Sequence, residues 1–129
     1  MKKVFFLIIT ISIIISCSSS SDNYNNTSDL NIRLSNISPY NFKNIVVNTT
    51  TGNTIFENIN SLETTNYKTF ETAYRYAFVE LEIDGKKFTL QPIDYFGETP
   101  LENGNYTYVI NANNSQKQYE KLSLTLIVE

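Results

Sequence analysis

From Leu30 to Val128 the apolar side chains of this chain recur at every second residue, in short runs separated by Asn, Gly, Pro, Thr and Ser. Successive side chains of a strand point to opposite faces, so a period of two marks a segment with one buried and one solvated face. A helix would need a period near 3.6, and no stretch of the chain shows one. The fold class expected from this pattern is all-β.

The sharpest local signal is Ile83-Asp84-Gly85-Lys86, an Asp-Gly pair between two alternating segments. It fits a two-residue type I′ turn, whose central residues require positive φ. Such a turn sets Glu82 opposite Lys87, Leu81 opposite Phe88, Glu80 opposite Thr89 and Val79 opposite Leu90. Apolar residues then meet on one face, and Glu82 meets Lys87 on the other. Pro92 has no N–H to donate, so the ladder should stop near Gln91.

Other runs complete the set of strands. Leu30 to Leu34 alternates and stops before Ser38-Pro39. Phe42 to Val47 ends in Thr50-Thr51-Gly52-Asn53. Weaker runs lie at Thr54 to Ile59 and Tyr67 to Phe70. Tyr106 to Ala112 follows the turn Glu102-Asn103-Gly104-Asn105, and in Leu122 to Val128 the residues Leu122, Leu124, Leu126 and Val128 share one face. About seven short strands in about a hundred residues predict a single antiparallel β-sandwich of immunoglobulin-like or transthyretin-like type over 29–129. Leu101-Glu102-Asn103-Gly104-Asn105-Tyr106-Thr107-Tyr108 resembles an edge motif of such sandwiches, and the resemblance implies that one tyrosine hydroxyl closes the loop.

The segment before the domain is of another kind. Lys2 and Lys3 precede an apolar run from Val4 to Ile15, interrupted only by Thr10 and Ser12 and followed by Ser16-Cys17. This is the layout of a secretory signal over 1–16. The run is well short of the roughly 20 apolar residues that a spanning helix needs. Ile14-Ile15-Ser16-Cys17 resembles the lipobox of bacterial lipoproteins: an aliphatic residue three positions before the cysteine and a small residue directly before it. The resemblance implies cleavage before Cys17, a diacylglycerol on its thiol and acylation of the new amine, typically by palmitate. Several acyl chains anchor firmly, since each buried methylene contributes about 0.8 kcal/mol. Ser18 stands where an aspartate would resemble an inner-membrane retention signal, which points to the outer membrane of the cell envelope. The polar stretch over 17–28 reads as the lipidated cysteine and a flexible tether. More broadly, the body resembles small Asn- and Ile-rich lipoproteins of Gram-negative bacteria.

Composition then removes classes of chemistry. Histidine is absent and Cys17 is the only cysteine, so Ser-His-Asp, Cys-His and common zinc sites cannot be assembled. No metal site or cofactor is expected. The net charge of -3 becomes about -5 once Lys2 and Lys3 are removed with the signal, and the other cations are scattered, so no nucleic-acid partner is expected. Glu80 and Glu82 share a strand face and support an alternative reading, an envelope enzyme acting on glycans through carboxylates alone. The loop from Asp94 to Glu102 gathers three carboxylates but lacks the spaced ligands of a calcium loop.

One feature suggests a contact surface. If Ala77, Val79, Leu81 and Ile83 face the core, then Tyr74, Tyr76 and Phe78 form an aromatic row on the other face, beside Arg75. These are the residue types enriched at protein contacts. Sugar platforms often use tryptophan, and this chain has none. The leading expectation is a non-catalytic binding or structural module, held to the membrane by its lipid and contacting an envelope protein or glycan.

Overall fold

The computed structural model describes residues 29–92 and 97–129. The signal, Cys17 and the tether therefore lie outside the described residues, as does Asp94. Among the described residues no helix is long and apolar enough to cross a membrane.

Among the described residues eight strands form: β1 (Leu30–Asn36), β2 (Lys43–Asn48), β3 (Asn53–Phe56), β4 (Lys68–Phe70), β5 (Phe78–Ile83), β6 (Lys86–Leu90), β7 (Gly104–Ala112) and β8 (Leu122–Val128). They make two four-stranded sheets, in the orders β4-β1-β7-β8 and β3-β2-β5-β6. The all-β expectation holds, with eight strands where about seven were expected. The pairing is not wholly antiparallel. β1 runs parallel to β7, with Leu30 opposite Gly104 and Asn36 opposite Ile110. A parallel pair cannot be closed by a tight hairpin, so two strands far apart in sequence become neighbours at the centre of a sheet.

Alternation does its work most clearly in β1 and β5. Leu30, Ile32, Leu34 and Asn36 are buried along β1, and Val79, Leu81 and Ile83 along β5. Side chains from both sheets join in one core that includes Ile45, Val47, Phe88, Tyr108 and Ile110. One flank of the two-sheet stack is closed by Phe56 of β3 and Phe70 of β4, whose rings stack with centroids 6.2 Å apart. The opposite flank brings the edge strands β6 and β8 near each other.

The β5–β6 hairpin has the register read from its turn, with Val79 opposite Leu90 and Glu82 opposite Lys87. Asp84 and Gly85 both take positive φ, at 51° and 77°, as a type I′ turn requires. The ion pair, however, is diagonal. Lys87 Nζ lies 3.4 Å from Glu80 Oε1, and Glu82 instead accepts a 3.0 Å hydrogen bond from Asn44 Nδ2. A β-bulge between Lys43 and Val46 supplies this competitor, because Asn44 sits there at φ 51° and its amide is swung toward Glu82.

Two further details differ from the sequence reading. Ile59 is not part of β3 but makes an isolated bridge with Phe42. In β8, Leu122 is 6% exposed but Val128 is 72% exposed. Among the described residues β8 is an edge strand with one neighbour in its sheet.

Candidate functional site

Residues 71–77 belong to no strand, so the expected aromatic row does not form as a strand face. Two hydrogen bonds draw this approach segment inward. Leu101 N–H donates to Ala73 O at 2.8 Å, and the Tyr108 hydroxyl donates to Tyr74 O at 2.6 Å. Ala73 and Ala77 are buried, while Tyr74 and Phe78 are half-buried and Arg75 is exposed. Only Phe78 belongs to β5, where it shares the outward face with Glu80 and Glu82. Tyr76 is left 49% exposed.

Tyr76 lines an apolar cleft of about 260 Å³ with Ala77, Leu90, Pro92, Leu122 and Leu124. The cleft lies on the open flank, between the end of β6 and the start of β8. Its position follows from local rules: β6 stops at Leu90, two residues before Pro92, which has no N–H to continue a ladder. Tyr119, 62% exposed, flanks the continuing surface beside Leu90 and Pro92. Of the residues singled out in the sequence, the structure brings Tyr76 alone to this cleft. Leu90, Pro92, Tyr119, Leu122 and Leu124 were missed as site residues, because alternation marks a face but does not say which strands become edges.

The motif at the start of β7 behaves as its resemblance implied. Tyr106 Oη donates to Glu102 O at 2.8 Å, closing the loop before the strand. On the outer face of β1 and β7, Arg33 Nε donates to Thr107 Oγ1 at 3.0 Å, and its Nη2 lies 3.3 Å from Glu129 Oε1. The Thr107 hydroxyl also donates to Glu129. That bond, with help from Arg33, holds the Glu129 carboxyl below its ordinary range. The Glu57 carboxyl is lowered too, chiefly because it accepts the Asn66 N–H. Neither carboxylate lines the cleft.

At another place, Lys121 is almost wholly buried, a position the sequence did not suggest. Its ammonium donates to Asn113 O at 2.6 Å and Ser115 O at 3.1 Å. It also lies 4.3 Å from the Tyr40 ring centroid and 5.0 Å from that of Phe88. Carbonyl oxygens and aromatic faces together replace the water that the cation gives up. Among the described residues, no group of three His, Cys, Asp or Glu side chains is placed to hold a metal ion.

No protein-family model and no curated protein matches the sequence. Among solved structures, the chain is similar to the NMR structure of a protein from Eubacterium rectale, with 17% identity and a TM-score of 0.50. The match covers 77% of this chain and 86% of the other. At that identity the likeness is one of fold.

Proposed function

We propose that this chain is a lipid-anchored lipoprotein of the cell envelope, whose domain is a β-sandwich that binds an envelope protein through the cleft around Tyr76. 

The domain acts by contact and not by catalysis. The anchoring half of this reading rests on Ile14-Ile15-Ser16-Cys17, on the apolar run before it and on the polar tether after it. The sandwich half is supported by two four-stranded sheets that bury their apolar faces in one core. An immunoglobulin-like or transthyretin-like arrangement is the finer form of the same reading.

The observation that carries the binding half is Tyr76, half-exposed on the wall of an apolar cleft. Tyrosine offers a wide, rigid, amphipathic contact at low entropy cost, and clefts with aromatic walls are where contact energy concentrates. The carboxylate-enzyme alternative finds no comparable support, since Glu80 is paired with Lys87 and Glu82 with Asn44.

Two variants of the full chain test the two halves. Cys17→Ala should abolish fatty-acid labelling and move the protein out of the detergent phase; undiminished labelling would overturn the anchor. Tyr76→Ala should abolish capture of a protein partner from the native envelope while shifting the thermal midpoint little, as expected for a half-exposed ring. Undiminished capture would remove the cleft as the binding surface.

A further inference from the structure

Among the described residues, no strand pairs with the outer edge of β8. Asn113 N–H donates to Lys121 O, and Glu129 N–H donates to Asn105 O, at the two ends of the β7–β8 ladder. These bonds set its phase: Ser123, Thr125 and Ile127 exchange backbone bonds with β7. The N–H and C=O groups of Leu122, Leu124, Leu126 and Val128 therefore point away from β7. Among the described residues, β8 has no neighbour on that side in the sheet order.

Proteins usually protect such an edge with a charge, a proline or a bulge. From Leu122 to Val128, β8 has no charged residue and no proline, and its register against β7 runs without a shift. Near its end Ile127 is 47% exposed and Val128 72% exposed. At its start lies the apolar cleft bounded by Leu122 and Leu124.

We infer that β8 pairs antiparallel with β8 of a second copy of this chain, about a two-fold axis through Thr125. The inference rests on the contact-module reading and names the partner that fills the cleft. In this register Leu122 opposes Val128 of the other copy and Leu124 opposes Leu126. All four outward-pointing residues of each strand then exchange backbone bonds. A shift by two residues in either direction leaves one of them unpaired on each strand.

The side chains agree with this register. Opposed residues of an antiparallel pair project to the same face, so the exposed Val128 of one copy lands beside the buried Leu122 of the other, at the mouth of its cleft. The exposed valine and the cleft become two halves of one contact, made twice by symmetry. Thr125 meets its own counterpart, a favourable cross-strand pair. The strand from Leu122 to Val128 has no charged residue, so the seam sets no like charges face to face. In an acidic chain, self-association needs such a seam, free of like charges.

Disulfide trapping tests the register in the full chain, purified in detergent with Cys17→Ala so that each introduced thiol stands alone. Thr125→Cys should form a covalent dimer under mild oxidation at least about tenfold faster than Ser123→Cys or Ile127→Cys alone, because only the axial pair comes within bonding distance. Mixing the Ser123→Cys and Ile127→Cys chains should restore rapid cross-linking, since those positions oppose each other. In the otherwise native chain, Thr125→Lys should weaken dimerisation at least about tenfold in sedimentation, by setting two ammonium groups face to face. Equal cross-linking at all positions, or a native chain that stays monomeric at about 100 μM, a concentration well above micromolar affinity, would overturn self-pairing and leave the edge to a strand of another protein. If trapping fails while Tyr76→Ala still abolishes partner capture, self-pairing falls and the contact-module reading stands.

Discussion

The hydroxyl of Tyr108, in the middle of β7, donates a 2.6 Å hydrogen bond to the backbone carbonyl of Tyr74. Tyr108 has no exposed surface, so the bond is made in the core, and it fastens an irregular segment to a central strand. Two residues further on, Tyr76 turns outward onto the cleft. The bond thus links the interior of one sheet to the wall of the candidate contact surface.

Tyr108→Phe should therefore cost about 1 to 2 kcal/mol, the cost of leaving a buried carbonyl with one partner fewer. Denaturant unfolding measures the loss, and amide exchange should quicken at residues 74–77. Unchanged stability and exchange would show that the segment is held by other contacts.

Asn36 is buried at the end of β1 and spends its whole amide on neighbouring groups. Its Nδ2 donates to Tyr40 O at 2.7 Å and Asn60 O at 3.2 Å. Its Oδ1 accepts from the Ser38 N–H at 3.0 Å and from the Ser38 hydroxyl at 2.7 Å. Asn36→Ala should destabilise by about 2 to 4 kcal/mol, because several buried groups lose a partner at once. A thermal melt that moves by no more than a degree or so would contradict this network.

At Gly85 a new Cβ would meet no atom within 4 Å, yet φ is +77°. The cost of a side chain there is backbone strain and not a clash. Gly85→Val should lose roughly 1 kcal/mol or more, whereas Gly85→Asn, whose side chain tolerates the left-handed region, should lose clearly less. Equal losses for the two variants would mean that the turn relaxes to another type.

The Glu57 carboxylate accepts a 2.9 Å bond from the Asn66 N–H, which lowers its pKa in the folded protein. A depressed carboxyl stabilises the fold above its unfolded pKa, and that contribution is lost as the pH falls through the folded value. Glu57→Gln should accordingly be less stable than the native chain at about pH 7, with the gap closing toward about pH 3. The group is exposed, so the gap will be small. A gap that widens on acidification would have the wrong sign for this bond.

Much of this architecture could be read residue by residue. The register from Val79 to Leu90 follows from two turn residues and the alternation on either side. The closing bond from Tyr106 to Glu102 spans only four residues. Where the reading failed, a distant group intervened. Glu82 meets Asn44, from a bulge in β2, in place of an ion pair with Lys87. Tyr74, Tyr76 and Phe78 do not alternate on a strand, because Tyr108 and Leu101 pull the approach segment inward.

By itself, then, the sequence determined the all-β class, the faces of the strong strands and the hairpin at Asp84-Gly85, since each depends on steric and hydrophobic preferances that act within a few residues. Tertiary structure alone decided that β1 lies parallel to β7, that β8 is an edge and that Tyr76 meets Leu90 and Leu122 across a cleft. Alternation tells a strand which face to bury but not which strand to lie beside. That choice belongs to the shared core, where side chains from both sheets must fill one volume together.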